Sequence, residues 1–207
     1  MTVHLIAIVG GSGSGKTWLA RQLKRRLGRA AGLISLDDFY RDLSALPKNK
    51  RDRQNFDDPV AIEWSLFLQT LARIKRGEPA AIPRYDFASH TRRSRTRLWK
   101  PKPVVLLDGL WLLRDPRARR LYSLSLYVDA PRAVRLHRRV ARDRRERGRS
   151  RASVLRQFRE HVEPMHRRFV APQARHADLV VNSEVSDKAL YKLTVMAQEL
   201  HAKSGKS

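Results

Sequence analysis

The residues Gly10, Gly11, Ser12, Gly13, Ser14, Gly15, Lys16 and Thr17 follow an apolar run at 3–9 and open a helical pattern. Glycine and serine at these positions let the backbone turn so that successive N–H groups face one anion, and a helix start adds its partial positive charge. In such a loop Lys16 bridges the outer phosphates of a nucleoside triphosphate, and the Thr17 hydroxyl serves a magnesium ion. A phosphate loop also needs a carboxylate at the end of a neighbouring strand. Val104, Val105, Leu106 and Leu107 supply four apolar residues, and Asp108 supplies the acid. A further run, 33–36, ends in Asp37 and Asp38. Either could orient an acceptor hydroxyl and take its proton, acting in a loose transition state mostly through position and charge. Each acid also has a structural reading: Asp108 opens a turn with Gly109, and Asp37 with Asp38 caps a short turn at 39–43.

The elements that must position these groups are visible as apolar runs at 3–9, 33–36, 104–107, 124–128 and 179–181, continuous rather than alternating, as in strands buried on both faces. Helical stripes lie between them: Leu19, Leu23 and Leu27; Ile62, Leu66, Leu71 and Ile74; Leu190, Leu193, Ala197 and Leu200. Strands alternating with helices predict an α/β fold, a parallel sheet flanked by helices, in one domain spanning 1–207. Two stretches fall outside the alternation. Residues 83–103 read as a protruding β-hairpin, and 132–151 as a charged helix with little of itself to bury. Residues 202–207 read as a frayed tail.

Lysine and arginine number 44 against 20 acidic residues, a formal charge of +24. Arginine is densest at 132–151, which reads equally as a solvated helix face or as a surface that meets phosphates. The absence of cysteine leaves oxygen and histidine as metal ligands. The 3–9 run is too short to span a bilayer and has no basic leader before it, so a cytoplasmic protein without a membrane partner is expected.

Along nearly its whole length the chain resembles the uridine kinase (uridine–cytidine kinase) family of P-loop kinases. The matching blocks occur in family order: GGSGSGKT, LDDFYR at 36–41, NFDDP at 55–59, PRYDFASHTR at 83–92, DGLWLL at 108–113, VDAP at 128–131, RRVARDRRERGR at 138–149 and PMHRRFVAP at 164–172. The resemblance implies a P-loop NTPase-type sheet with a small hairpin and an arginine-rich helical lid. It further implies transfer of phosphate from ATP or GTP, with Mg2+, to the 5′-hydroxyl of a pyrimidine nucleoside. It assigns the catalytic carboxylate to Asp37 rather than Asp38, with Thr17, Asp37 and Asp108 on the metal side. Phe56 and Phe87 match aromatics that sandwich the base, Tyr85 and His90 groups that read its edge, and Asp57 and Arg139 contacts to the ribose, with Gln157 nearby. Arg142 and Arg147 match lid arginines that neutralise the transferring phosphate. A homotetramer is also implied. The chain departs from the family pattern at Asp108, Asp58 and Glu63, where the family usually carries glutamate, histidine and aspartate. A kinase of a phosphosugar or of pantothenate, and a basic nucleic-acid-binding NTPase, are the competing readings, and the aromatic pair and the lid explanation weigh against them.

Overall fold

The structure is a computed structural model that describes residues 2–203, with side chains to residue 202. In chain order the strands are β1 (His4–Gly10), β2 (Ala31–Ser35), β3 (Ala80–Ile82), β4 (Tyr85–Asp86), β5 (Thr91–Arg92), β6 (Arg97–Trp99), β7 (Val104–Gly109), β8 (Tyr122–Asp129) and β9 (Leu179–Asn182). The α-helices are α1 (Lys16–Leu27), α2 (Lys48–Arg51), α3 (Trp64–Lys75), α4 (Pro116–Arg119), α5 (Arg132–Arg147), α6 (Arg151–Gln157), α7 (Glu163–Met165) and α8 (Asp187–Lys203).

Five strands pair in parallel in the order β2-β7-β1-β8-β9. The unbroken apolar runs arise because alternate residues serve two cores. Leu5, Ala7 and Val9 pack with Phe39, Phe67, Leu71 and Trp111, whereas Ile6 and Ile8 meet Leu19, Leu23, Leu190 and Leu193 of α1 and α8. The ends of β2, β7 and β1 therefore lie side by side at the carboxyl edge, where open α/β sheets bind ligands.

Several expectations are corrected. The run 179–181 is an edge strand that pairs only with β8, and Val180 is 60% exposed, so it is not buried on both faces. Leu36 leaves β2 for a 3-10 turn, Leu36–Phe39, whose cap is the Ser35 hydroxyl accepting the Asp37 N–H at 3.2 Å. Ile62 precedes its helix, bridging to Tyr40, and α3 starts at Trp64. The protruding segment begins at Ala80 and consists of two short antiparallel ladders, β3 with β6 and β4 with β5. The tail expected from 202 is helical through Lys203; residues 204–207 lie outside the described residues.

The charged helix α5 is corrected as well, since Arg135, Arg139 and Asp143 are buried. Spaced four residues apart, they form one face of the helix. Burial is tolerated because the charges are paired: Arg135 donates to Glu163 at 2.9 Å, and Arg139 lies 3.4 Å from Asp143. Among the described residues, no helix is long and apolar enough to cross a membrane.

Trp99 of β6 ties the ladders to the sheet by laying its ring on Gly32, where a Cβ would collide with the indole. Gly32→Ala is therefore expected to destabilise the protein by about 1–3 kcal/mol through overpacking, measurable as a lower denaturant midpoint at unchanged slope.

Candidate active site

The loop between β1 and α1 is shaped by what packs behind it. Gly13 has φ +82°, and a Cβ there would strike the Arg135 carbonyl oxygen of α5, so both the conformation and the space demand glycine. α1 follows its N-cap Gly15 with no side-chain cap and no acid in its first turn. Its leading N–H groups and positive end are left for an anion.

Thr17 Oγ1 donates to Asp108 Oδ2 at 2.6 Å. The other Asp108 oxygen is buried without a hydrogen-bond partner. Asp37 faces the cavity beside Lys16, while Asp38 is not among the lining residues. Burial pushes the Asp37 carboxyl up to about 6; the charge of Asp108 adds to this, while Lys16, Arg147 and Arg142 oppose it. Two carboxylates that repel each other, one with an orphaned oxygen, next to a hydroxyl, are a hard oxygen donor set. No cluster of three or more His, Asp or Glu suited to a metal occurs among the described residues. Magnesium takes one or two carboxylates and completes its shell with phosphate and water.

A cavity of about 610 Å³ runs from Ser12, Lys16 and Asp37 to an aromatic end. Phe56, Asp57, Tyr85, Phe87, His90, Arg139, Arg142, Arg147 and Gln157 all line it, so the structure brings the expected acceptor residues and lid arginines into one space with the loop. At the aromatic end Tyr85 meets Phe87 edge-on with ring centroids 5.2 Å apart. His90 lies flat on Phe56, 4.3 Å away and 15° from parallel. His90 has φ +56°, its Nδ1 is buried without a partner, and burial lowers its pKa, so near neutral pH it is an uncharged ring able to donate or accept. The Tyr85 hydroxyl is likewise buried and unpartnered, and burial holds it as a phenol.

Between the two ends Arg139 donates to Ser12 Oγ at 2.8 Å and to Gln157 Oε1 at 3.0 Å, and lies 3.8 Å from Asp57. Arg147 lines the cavity with its guanidinium 5.6 Å from the Phe87 ring centre.

Sequence reasoning missed three contributors. Tyr40 lies in the wall, its hydroxyl donating to the Phe56 carbonyl at 2.8 Å and its ring against Tyr85. Arg149 lines the cavity and donates to Gln157. Both stand inside the motif blocks quoted above, which was the available signal. The third is a separate cavity of about 420 Å³ on the outer side of the loop, lined by Gly15, Trp18, Arg138, Ser183, Glu184 and Val185. Its residues come from three distant parts of the chain and share no local pattern.

Comparison with known proteins agrees with this geometry. The model of the phosphoribulokinase / uridine kinase family matches residues 5–189. A uridine kinase of Staphylococcus carnosus is 37% identical over 198 residues, 95% of each chain. One of Staphylococcus aureus is 36% identical over 201 residues, 96% of this chain and 97% of that one. Among solved structures, phosphoribulokinase from Rhodobacter spheroides superposes with a TM-score of 0.65 at 18% identity, covering 87% of this chain and 70% of that one; at that identity the likeness concerns the fold. The chain belongs to the phosphoribulokinase / uridine kinase family and is a P-loop phosphotransferase of the uridine kinase type, acting on a hydroxyl group.

Proposed function

We propose that the protein transfers the terminal phosphate of ATP or GTP to the 5′-hydroxyl of uridine or cytidine, yielding UMP or CMP for pyrimidine salvage in the cytoplasm. The observation that carries this reading is one cavity with Lys16 and Asp37 at one end and flat aromatic walls with uncharged polar groups, His90 and Tyr85, at the other. A pyrimidine is a flat ring with a polar edge, and such walls suit it.

Lys16 and the loop N–H groups hold the outer phosphates of the donor. The smaller cavity beside Trp18 and Arg138 suits the donor's base. Phe56 and Phe87 hold the acceptor's base, His90 and Tyr85 meet its edge, and Asp57 and Arg139, backed by Gln157, hold the ribose. Asp37 accepts a hydrogen bond from the 5′-hydroxyl, which fixes the attacking oxygen, and takes its proton as the new P–O bond forms and the bond from the terminal phosphorus to the bridging oxygen breaks, releasing the nucleoside diphosphate. Arg142 and Arg147 offset the charge spread over the transferring group and close the site to water, which would otherwise compete as acceptor. Thr17, Asp108 and Asp37 would hold magnesium, which would supply neutralisation of the outer phosphates.

A coupled assay with ATP, magnesium and a panel of nucleosides, phosphosugars and pantothenate tests the assignment. Uridine or cytidine is expected to give the highest kcat/KM, and a preferred phosphosugar overturns it. At the acceptor end, His90→Ala is expected to raise KM for uridine and cytidine about tenfold or more, the cost of an unmet buried polar contact, with KM for ATP within about twofold. Equal increases for both substrates would remove His90 from the base site.

A further inference from the structure

Asp143 belongs to the buried α5 face but does not line the cavity, and its side chain is 0% exposed. One of its oxygens, Oδ1, accepts from Arg142 Nε at 2.9 Å, sits 2.8 Å from a terminal nitrogen of the same guanidinium, and lies 3.8 Å from Arg147. The other, Oδ2, lies 3.4 Å from Arg139 Nε and has no hydrogen-bond partner. The Asp143 backbone also ends the helix: its carbonyl accepts the N–H of Gly148 and, at 3.2 Å, that of Arg149. A single carboxylate thus meets three arginines near the C-terminal end of α5. Through Arg139 it is joined to Ser12 of the phosphate loop.

We infer that Asp143 is a positioning residue: it aims the Arg142 and Arg147 guanidiniums into the cavity and ties their placement to the phosphate loop. The inference rests on the phosphotransferase reading of the site and not on the identity of the acceptor. The physical argument is one of competing partners. Long arginine side chains have many rotamers, and five guanidiniums, those of residues 93, 139, 142, 147 and 149, line this cavity, so mutual repulsion spreads them unless anions gather them. Before a triphosphate arrives, Asp143 is the anion that meets Arg139, Arg142 and Arg147 together. Its grip is unequal, close on Arg142 and loose on Arg147, which leaves Arg147 more exposed (39% against 33%) and the freer of the two to turn to the transferring phosphate. Because Asp143 touches no cavity space, its removal acts only through the arginines.

The test is a comparison of kcat, KM and melting temperature for Asp143→Asn and Asp143→Glu, each alone and in an Arg142→Gln/Arg147→Gln background. Turnover of ATP is followed with the best acceptor found for the wild-type protein. In the wild-type background both variants are expected to lower kcat on the order of 10²-fold, the effect of misplacing a catalytic group by about 1 Å, with KM for the acceptor within about threefold. In the double-glutamine background the further loss should shrink to under about twofold. Asp143→Glu keeps the charge and so serves where Asp143→Asn melts early. Unchanged kcat, or an equal loss in both backgrounds, overturns the inference. Failure of uridine and cytidine as acceptors overturns the substrate assignment alone, since the readout follows whichever acceptor is used.

Discussion

Lys16→Ala is expected to lower kcat on the order of 10²–10³-fold while the protein keeps its melting temperature. The fold-neutral part follows from the surroundings: Lys16 opens onto the cavity, and it sits at the first position of α1, where alanine is a good helix former. The catalytic part follows from charge. In a loose transition state negative charge gathers on the outer phosphate oxygens, and a fixed ammonium inside the cavity stabilises that state more than the ground state. Single-turnover measurement with saturating ATP separates this from weakened binding. Near-normal turnover would reject Lys16 as a phosphate contact.

Asp37→Asn is expected to reduce kcat by about 10²–10⁴-fold, the contribution of a positioned proton acceptor, and at the same time to make the protein more stable at neutral pH. The sign follows from the carboxyl, raised to about 6 in the folded protein from an ordinary 3.8. A raised folded value means that the folded state favours the protonated acid. Its stabilising contribution is fully present below pH about 4 and is lost as pH rises through 6. Asparagine stays neutral throughout. The variant should therefore melt later than wild type at pH 7–8, by the equivalent of on the order of 1–3 kcal/mol, with the gap closing toward pH 4. In the wild-type enzyme kcat/KM, which reports the free protein, should rise with pH through about 6 as Asp37 ionises. A variant of equal stability at all pH values would mean that Asp37 carries no unfavourable charge in the fold.

The sheet was largely readable from the sequence because a strand buried on both faces must be apolar throughout, as residues 3–9 and 104–107 are. The phosphate loop was readable because its chemistry leaves little freedom at eight consecutive positions. β9 misled because Val180, although apolar, faces outward on an edge strand, and residue type alone does not report the number of neighbouring strands. The buried face of α5 was invisible for the opposite reason. Arg135, Arg139 and Asp143 have helical spacing but no hydrophobicity, and a search for apolar periodicity passes over a core made of ion pairs. At the acceptor end the residues of 83–92 could be named, yet the flat contact of His90 on Phe56 depends on a left-handed backbone at His90 that a non-glycine residue seldom adopts.

The strand order also sets a timetable. β1 is synthesised first, but it pairs on one side with β7, in the register His4 to Val104, and on the other with β8, Leu5 to Tyr122. At about 5–20 residues per second, these partners leave the ribosome on the order of 5–25 s later. Throughout that interval an apolar strand waits without neighbours, a state prone to association and to chaperone capture. The wall behind Gly13 comes later still, with Arg135. A nascent chain that stops before β8 thus contains every residue of the phosphate loop but not the Arg135 wall behind Gly13.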